Sequence, residues 1–227
     1  MALDLSQKEW YNIYARLTVA LTDKKEPKRS TAVNYILASK SPRRREILET
    51  LGVRFEIVTS DTDESSTERD PHKLVELLSL RKGLAVRDRL LAEGRDLRDT
   101  AIIASDTVVA IDGEILGKPQ DADDARRMLR LLSGRTHEVV SGVALIGSDT
   151  VGSAHEVTEV LFDEWDEETV EHYINVAKPY DKAGAYAIQG LASAWIQGIR
   201  GCYFNVVGLP IHRLNKLHNE LFGKKFL

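Results

Sequence analysis

The sequence holds a single cysteine, Cys202, in 227 residues. That excludes an internal disulfide and leaves too few thiols for a structural zinc site. A chain so poor in cysteine suits a reducing compartment, and the expected location is the cytoplasm. No apolar run reaches the roughly 18 residues that span a bilayer, and no apolar block near the N-terminus leads to a small-residue cleavage site, so no membrane partner is expected. Charge of one sign is lacking too: 31 Lys and Arg face 35 Asp and Glu, a net charge of -4. That balance gives no general attraction to nucleic acid, so any anion must be met by a local basic cluster. The six histidines (His72, His137, His155, His172, His212 and His218) include no pair at zincin spacing. Neither a Walker-type Gly-x-x-x-x-Gly-Lys-Ser/Thr nor a Gly-x-Ser-x-Gly elbow occurs.

What is present is a chain with 43% hydrophobic residues, long enough to bury a core as one domain or two closely joined lobes. Residues 1–32 mix a short helical pattern, Trp10 to Leu21, with the charged stretch Asp23 to Arg29. They are expected to be an appended arm or linker, and 33–227 the folded domain. Asn34 to Ala38 is a short strand-forming run. A helix follows, with Ser41 as its cap, Pro42 at its first position and Gly52 at its end. Phe55 to Thr59 predicts a second strand, which makes the opening unit strand, helix, strand and the fold α/β. Pro71 to Glu93 predicts a long helix, with Lys82 at the border of its leucine stripe. Ala101 to Ala104 and Val108 to Ile111 are strand-like, and the polar triplet Ser105-Asp106-Thr107 is expected to interrupt them. Asp112-Gly113 predicts a hairpin and Asp121 a helix cap. Two strands between Glu138 and Phe162, a helix from Glu167 to Val176, a strand near Ala194 to Ile199 and a helix from Pro210 to Leu221 complete the pattern.

Three groups could carry chemistry. Ser39 to Arg45 lies where a strand hands over to a helix, and free amides with Arg43, Arg44 and Arg45 would cradle phosphate oxygens. The same segment would also serve as a capped surface helix with solvated arginines. Asp61, Asp63, Glu64 and Asp106 are oxygen donors of the kind a hard cation prefers, and one or two carboxylates plus substrate phosphates suffice for Mg²⁺. Asp106 is the sharpest, because a carboxylate among Ile102, Ile103, Val108 and Val109 is costly unless paired or metal-bound. Lys118 and Lys182 sit beside glycines in loops, and Gln189 lies among apolar and small residues, either as an amide reading a base edge or as a satisfied core residue.

These pieces occur in an order that resembles the Maf family. Leu37-Ala38-Ser39-Lys40-Ser41-Pro42-Arg43-Arg44, Asp63-Glu64, Lys82, Asp106-Thr107-Val108-Val109, Gly117-Lys118-Pro119, Leu132 to His137, Asp181-Lys182-Ala183-Gly184-Ala185-Tyr186, Ile188-Gln189-Gly190 and Asn205 to Pro210 carry the likeness, over roughly Tyr35 to Leu214. The resemblance implies a mixed twisted sheet flanked by helices, two lobes around a deep cleft and, often, a homodimer. It further implies hydrolysis of nucleoside triphosphates to the monophosphate and pyrophosphate with a divalent metal, Mg²⁺ or Mn²⁺. By position, Asp106 matches the family's proton acceptor, and Glu64 with Asp106 would hold the metal. Arg43, Thr107 and Gln189 match positions tied to substrate choice, and Ser39, Arg44, Lys82, Lys118 and Lys182 would line the triphosphate path. The Ile-Gln-Gly form resembles the branch acting on dTTP and UTP. The chain departs from the family at Ala104-Ser105 and Cys202-Tyr203-Phe204, which bears on the base pocket. Two rival functions are a non-catalytic nucleotide-binding regulator of cell division and a pyrophosphatase for modified purine nucleotides.

Overall fold

The computed structural model describes residues 33–59 and 61–227; the N-terminal extension, with its expected helix over Trp10 to Leu21, lies outside them. The first strand, β1 (Asn34–Leu37), runs into helix α1 (Pro42–Thr50), which returns to β2 (Phe55–Ile57). Strands β1 and β2 pair in parallel, as the strand-helix-strand pattern requires. Helix α2 (Pro71–Ala92) begins at Asp70, whose carboxylate accepts from the His72 and Lys73 amides.

Strand β3 (Thr100–Ile111) is continuous, which corrects the expected interruption at Ser105-Asp106-Thr107. One edge of it pairs with β5 (Thr136–Ile146) from Ile102 to Ala110, so its backbone stays bonded through the polar triplet. The other edge changes partner. It pairs with β1 over Thr100 to Ile103 and with the hairpin strand β4 (Glu114–Leu116) over Val109 to Ile111. The polar residues fall in the gap between those neighbours, at the carboxyl end of β1, the place where open α/β sheets bind ligands.

Helix α3 (Ala122–Leu132) is capped by Asp121, whose carboxylate accepts from the Asp124 amide. The chain then enters the hairpin β5–β6 (Val151–Phe162), helix α4 (Glu167–Ala177), turns at Ala183–Ala185 and Leu191–Trp195, strand β7 (Ile196–Arg200), the short helix α5 (Tyr203–Val207) and helix α6 (Ile211–Phe222). The seven-stranded mixed sheet has the order β2-β1-β3-β5-β6-β7, with β4 on β3.

Two lobes share β3 and β5. In the first, residues alternate along the strands by the period of two. Ile36, Ile102, Ala144 and Ile146 pack with Leu80, Leu84 and Leu90 of α2, while Leu37, Ile103, Val143 and Leu145 pack with Ile47 and Leu48 of α1 and Leu214 and Leu217 of α6. In the second, Val109, Ile111, Val139 and Phe162 pack against Ala125, Met128 and Leu129 of α3 and Val170 and Tyr173 of α4. Gly142 lets α2 approach the sheet: a Cβ there would lie 2.2 Å from the Val75 carbonyl oxygen, closer than any side chain permits. That contact brings Lys82 of α2 over Asp106, whose partner across the sheet is Gly142.

Candidate active site

A cleft of about 920 Å³ opens at the gap beside β3. Ser39, Arg43, Arg44, Glu64, Lys82, Asp106, Thr107, Lys118, Lys182 and Gln189 all line it; of the three arginines expected to cradle phosphate, Arg45 does not, since it lies exposed on α1 and pairs with Glu49 at 3.5 Å. Ser39 to Arg44 come from the first lobe; Lys118 and the loop from Asp181 to Gln189 come from the other side.

At the floor, Asp106 is buried, with only 8% of its surface exposed. Lys82 Nζ donates to Asp106 Oδ1 at 2.6 Å and lies 3.1 Å from Glu64 Oε2. The lone carboxylate among aliphatic neighbours is thus paired, as its burial demands. The other acidic candidates separate from this pair. Asp61 binds the exposed Lys40 at 2.8 Å. Asp63 accepts from the Ser65 amide and hydroxyl, while Arg81 donates to the Asp63 and Ser65 carbonyls and fixes the acidic loop. Asp63 thus shapes the loop and Asp61 ties it to Lys40, while both line the cleft.

Above the floor sits Arg44, half-buried in the first turn of α1. Its Nε donates to the Gly208 carbonyl at 2.8 Å, Nη1 to Ser39 Oγ at 3.2 Å and Nη2 to Thr107 Oγ1 at 3.1 Å. All three acceptors are neutral. Desolvation lowers its pKa, partly offset by the charge of Asp106. Ser41 takes the expected cap position of α1, but its side chain makes no cap bond; the Ser41 amide instead donates to Ser39 Oγ at 3.2 Å. Ser105 Oγ also donates to the Gly208 carbonyl, at 2.9 Å. The turn from Asn205 to Leu209 therefore supplies backbone oxygens that hold the cleft's side chains, a role no side-chain motif could reveal.

At the mouth, Arg43 Nη1 and Lys182 Nζ both donate to Asp181, at 3.3 and 2.5 Å. Burial pushes the Asp181 carboxyl upward, but the Lys182 hydrogen bond and the charges of Lys182 and Arg43 outweigh it, and the net shift is downward. This loop is clamped from below. Gly184, at φ +64°, lies so close to Val109 that a Cβ would come within 2.7 Å of its Cγ2. Tyr186 is buried, its hydroxyl 2.7 Å from Nε2 of the buried His137. Desolvation holds the His137 pKa down at about 4, so its imidazole is neutral. Lys118 and Gln189 are exposed at the rim, so Gln189 is a cleft residue and not a core amide.

Among the described residues, no three His, Cys, Asp or Glu side chains gather closely enough to hold a metal by themselves. Glu64 and Asp106, however, meet at one point, the Lys82 ammonium. Two carboxylates completed by phosphate oxygens and water match the donor set of a hard divalent cation.

The sequence is similar to those of known proteins. The chain is 47% identical over 182 residues to the dTTP/UTP pyrophosphatase of Thermosipho africanus, covering 80% of this chain and 90% of that protein. It is 42% identical over 195 residues to the dTTP/UTP pyrophosphatase of Ruminiclostridium cellulolyticum, covering 84% and 97%. To the dTTP/UTP pyrophosphatase of Clostridium perfringens it is 47% identical over 188 residues, covering 81% and 95%. A solved structure, that of the Staphylococcus aureus Ham1 protein, shares 13% identity and a TM-score of 0.41 over 57% of this chain and 71% of its own. Residues 34–221 match the family described as Maf-like protein, and the chain belongs to that family.

Proposed function

We propose that this protein hydrolyses nucleoside triphosphates to the monophosphate and pyrophosphate, with dTTP and UTP as its substrates. The observation that carries the reading is the division of charge within one cleft. A buried carboxylate stands at the floor, and Arg44, with only neutral partners, stands ready above it for an anion. The relatives' names give the nucleotides. In this reading residues 33–227 are the catalytic domain and 1–32 an appended extension.

Asp106 is the general base. Its Oδ1 is held by Lys82, which leaves Oδ2 to accept the proton of a water molecule. The water oxygen bonds to the α-phosphorus, the bond from that phosphorus to the α–β bridging oxygen breaks, and its electrons leave with pyrophosphate. Arg43, Arg44, Lys118 and Lys182, with the Ser39 and Thr107 hydroxyls, bind the triphosphate and offset the charge that builds on the leaving group. Glu64 and Asp106 would hold Mg²⁺ or Mn²⁺, which when bound supplies Lewis-acid neutralisation of the phosphate oxygens. Gln189 offers a donor and an acceptor side by side, complementary to the O4 and N3–H edge shared by thymine and uracil.

The test is incubation of the purified protein with Mg²⁺ or Mn²⁺ and each common nucleoside triphosphate, assaying pyrophosphate and monophosphate separately. Equal amounts of both from dTTP and UTP are expected. Orthophosphate in place of pyrophosphate, or no release from any nucleotide, would overturn the reading, and the latter would favour a nucleotide-binding regulator.

A further inference from the structure

Asp181 is an acidic residue of the cleft that the proposed reaction leaves without a role. The proposed reaction needs cations at the mouth, yet a carboxylate stands between Arg43 and Lys182, bonded to both. Arg43 belongs to α1 and Lys182 to the loop on the opposite side, so the carboxylate ties the two walls of the cleft together across 138 residues of sequence. Arg43 and Lys182 side chains are mostly covered, 25% and 19% exposed, whereas that of Asp181 is 59% exposed. An incoming anion can therefore replace the carboxylate without the two cations moving far.

We infer that Asp181 is a displaceable counter-ion: it holds Arg43 and Lys182 in place before substrate arrives and gives them up to the polyphosphate, acting as a positioning residue that sets substrate affinity. The inference rests on the proposed function for the identity of the polyphosphate. Without Asp181 the two cations would repel each other and lose their common anchor. With it, every binding event must break two charge-assisted bonds that the substrate then remakes. The cost is limited because the carboxylate is exposed and screened. A residue of purely structural purpose would weaken binding when neutralised. A counter-ion in competition with the ligand strengthens it.

The experiment measures binding of inorganic tripolyphosphate to the full chain by titration calorimetry, comparing wild type with Asp181→Asn, Asp181→Glu and Asp149→Asn. Asp149, near the turn between β5 and β6 and outside the cleft lining, controls for net charge. Asp181→Asn keeps an oxygen for Lys182 and Arg43 but removes the charge, and roughly fivefold tighter binding is expected, the scale of one exposed ion pair. Asp181→Glu and Asp149→Asn should match wild type. Weaker or unchanged binding by Asp181→Asn, an equal gain in Asp149→Asn, or no binding by any of the proteins overturns the proposal. If Asp181→Asn does not fold, Asp181→Ser carries the same reading. Hydrolysis of dTTP by wild type is scored apart: no hydrolysis together with tighter binding by the variant would sink the proposed reaction and leave the counter-ion in place.

Discussion

The floor and the mouth of the cleft are built on opposite plans. At the floor one cation, Lys82, lies between two carboxylates, Asp106 and Glu64. At the mouth one carboxylate, Asp181, lies between two cations, Arg43 and Lys182. The floor carries a surplus of negative charge, which suits a metal ion and a base; the mouth carries a surplus of positive charge, which suits phosphates. Burial separates them further. The Asp106 side chain is 11% exposed and its ion pair is poorly screened, whereas that of Asp181 is 59% exposed and its pairs are weak. A single fold thus offers a fixed acidic end and an exchangeable basic end, and a nucleotide can be drawn to the second and cut at the first.

The comparison breaks most completely at the floor. Asp106→Asn keeps the shape and a hydrogen-bond acceptor for Lys82 but cannot take a proton from water. Turnover of dTTP should fall by roughly 10²- to 10⁴-fold, the usual contribution of a general base. Nucleotide affinity, which the proposed reaction assigns chiefly to Arg43, Arg44, Lys118 and Lys182, should change little. Turnover close to wild type would remove Asp106 from the chemistry.

The mouth has a separate weakness, toward acid. His137 supports Tyr186, and through it the loop that carries Asp181, Lys182 and Gln189. Desolvation lowers the His137 pKa from the ordinary 6.5 to about 4 in the folded protein. Between those values the unfolded chain binds a proton that the folded one does not. The stability of the neutral, buried form is therefore intact above pH 6.5 and is lost as pH falls through the window toward 4. The loss should reach about 3 kcal/mol, because a tenfold difference in proton affinity between the two states is worth roughly 1.36 kcal/mol. Chemical denaturation of wild type and His137→Gln across this range checks it, and parallel pH profiles would count against it.

Much of the floor is legible in the sequence because buried polar residues stand out in apolar strands. Asp106 is marked by its aliphatic neighbours, and Lys82 by its place beside a leucine stripe. The polar triplet reads wrongly as a break in the strand, because a strand's continuity depends on its partners. One edge of β3 is bonded to β5 throughout, and only the other edge is open. Asp181 is visible within its motif but has no partner until the loop folds back onto α1. The Arg44 anchor at Gly208 is a backbone oxygen, and a backbone oxygen leaves no trace in residue identity. The short helix α5 and the two turns before β7 escape because segments of three to five residues hold too little periodicity to detect.

Ser141 escapes the sequence reading although it carries the same signal as Asp106, a polar residue in the apolar run Val139-Val140-Ser141-Gly142-Val143. It is fully buried opposite Thr107, and it anchors a directed chain of hydrogen bonds that ends at Arg44. Ser141 Oγ donates its one proton to the Asn205 carbonyl at 2.9 Å, so in its 2.8 Å contact with Thr107 Oγ1 it must accept. The Thr107 proton is then spent on Ser141, and Thr107 Oγ1 is left to accept from Arg44 Nη2. Ser141 in this way sets the polarity of a hydroxyl that faces the cleft and steadies the guanidinium between floor and mouth. In Ser141→Ala the Asn205 carbonyl loses its side-chain donor, and the Thr107 proton turns to the Gly208 carbonyl, now 3.5 Å away, where it competes with Arg44. The KM for dTTP should rise roughly tenfold, equivalent to about 1.4 kcal/mol and within the cost of one buried unmade hydrogen bond, while kcat moves less because Asp106 and Lys82 are untouched. A lower melting temperature with an unchanged KM would show that Ser141 serves only the packing of the sheet and does not steady Arg44.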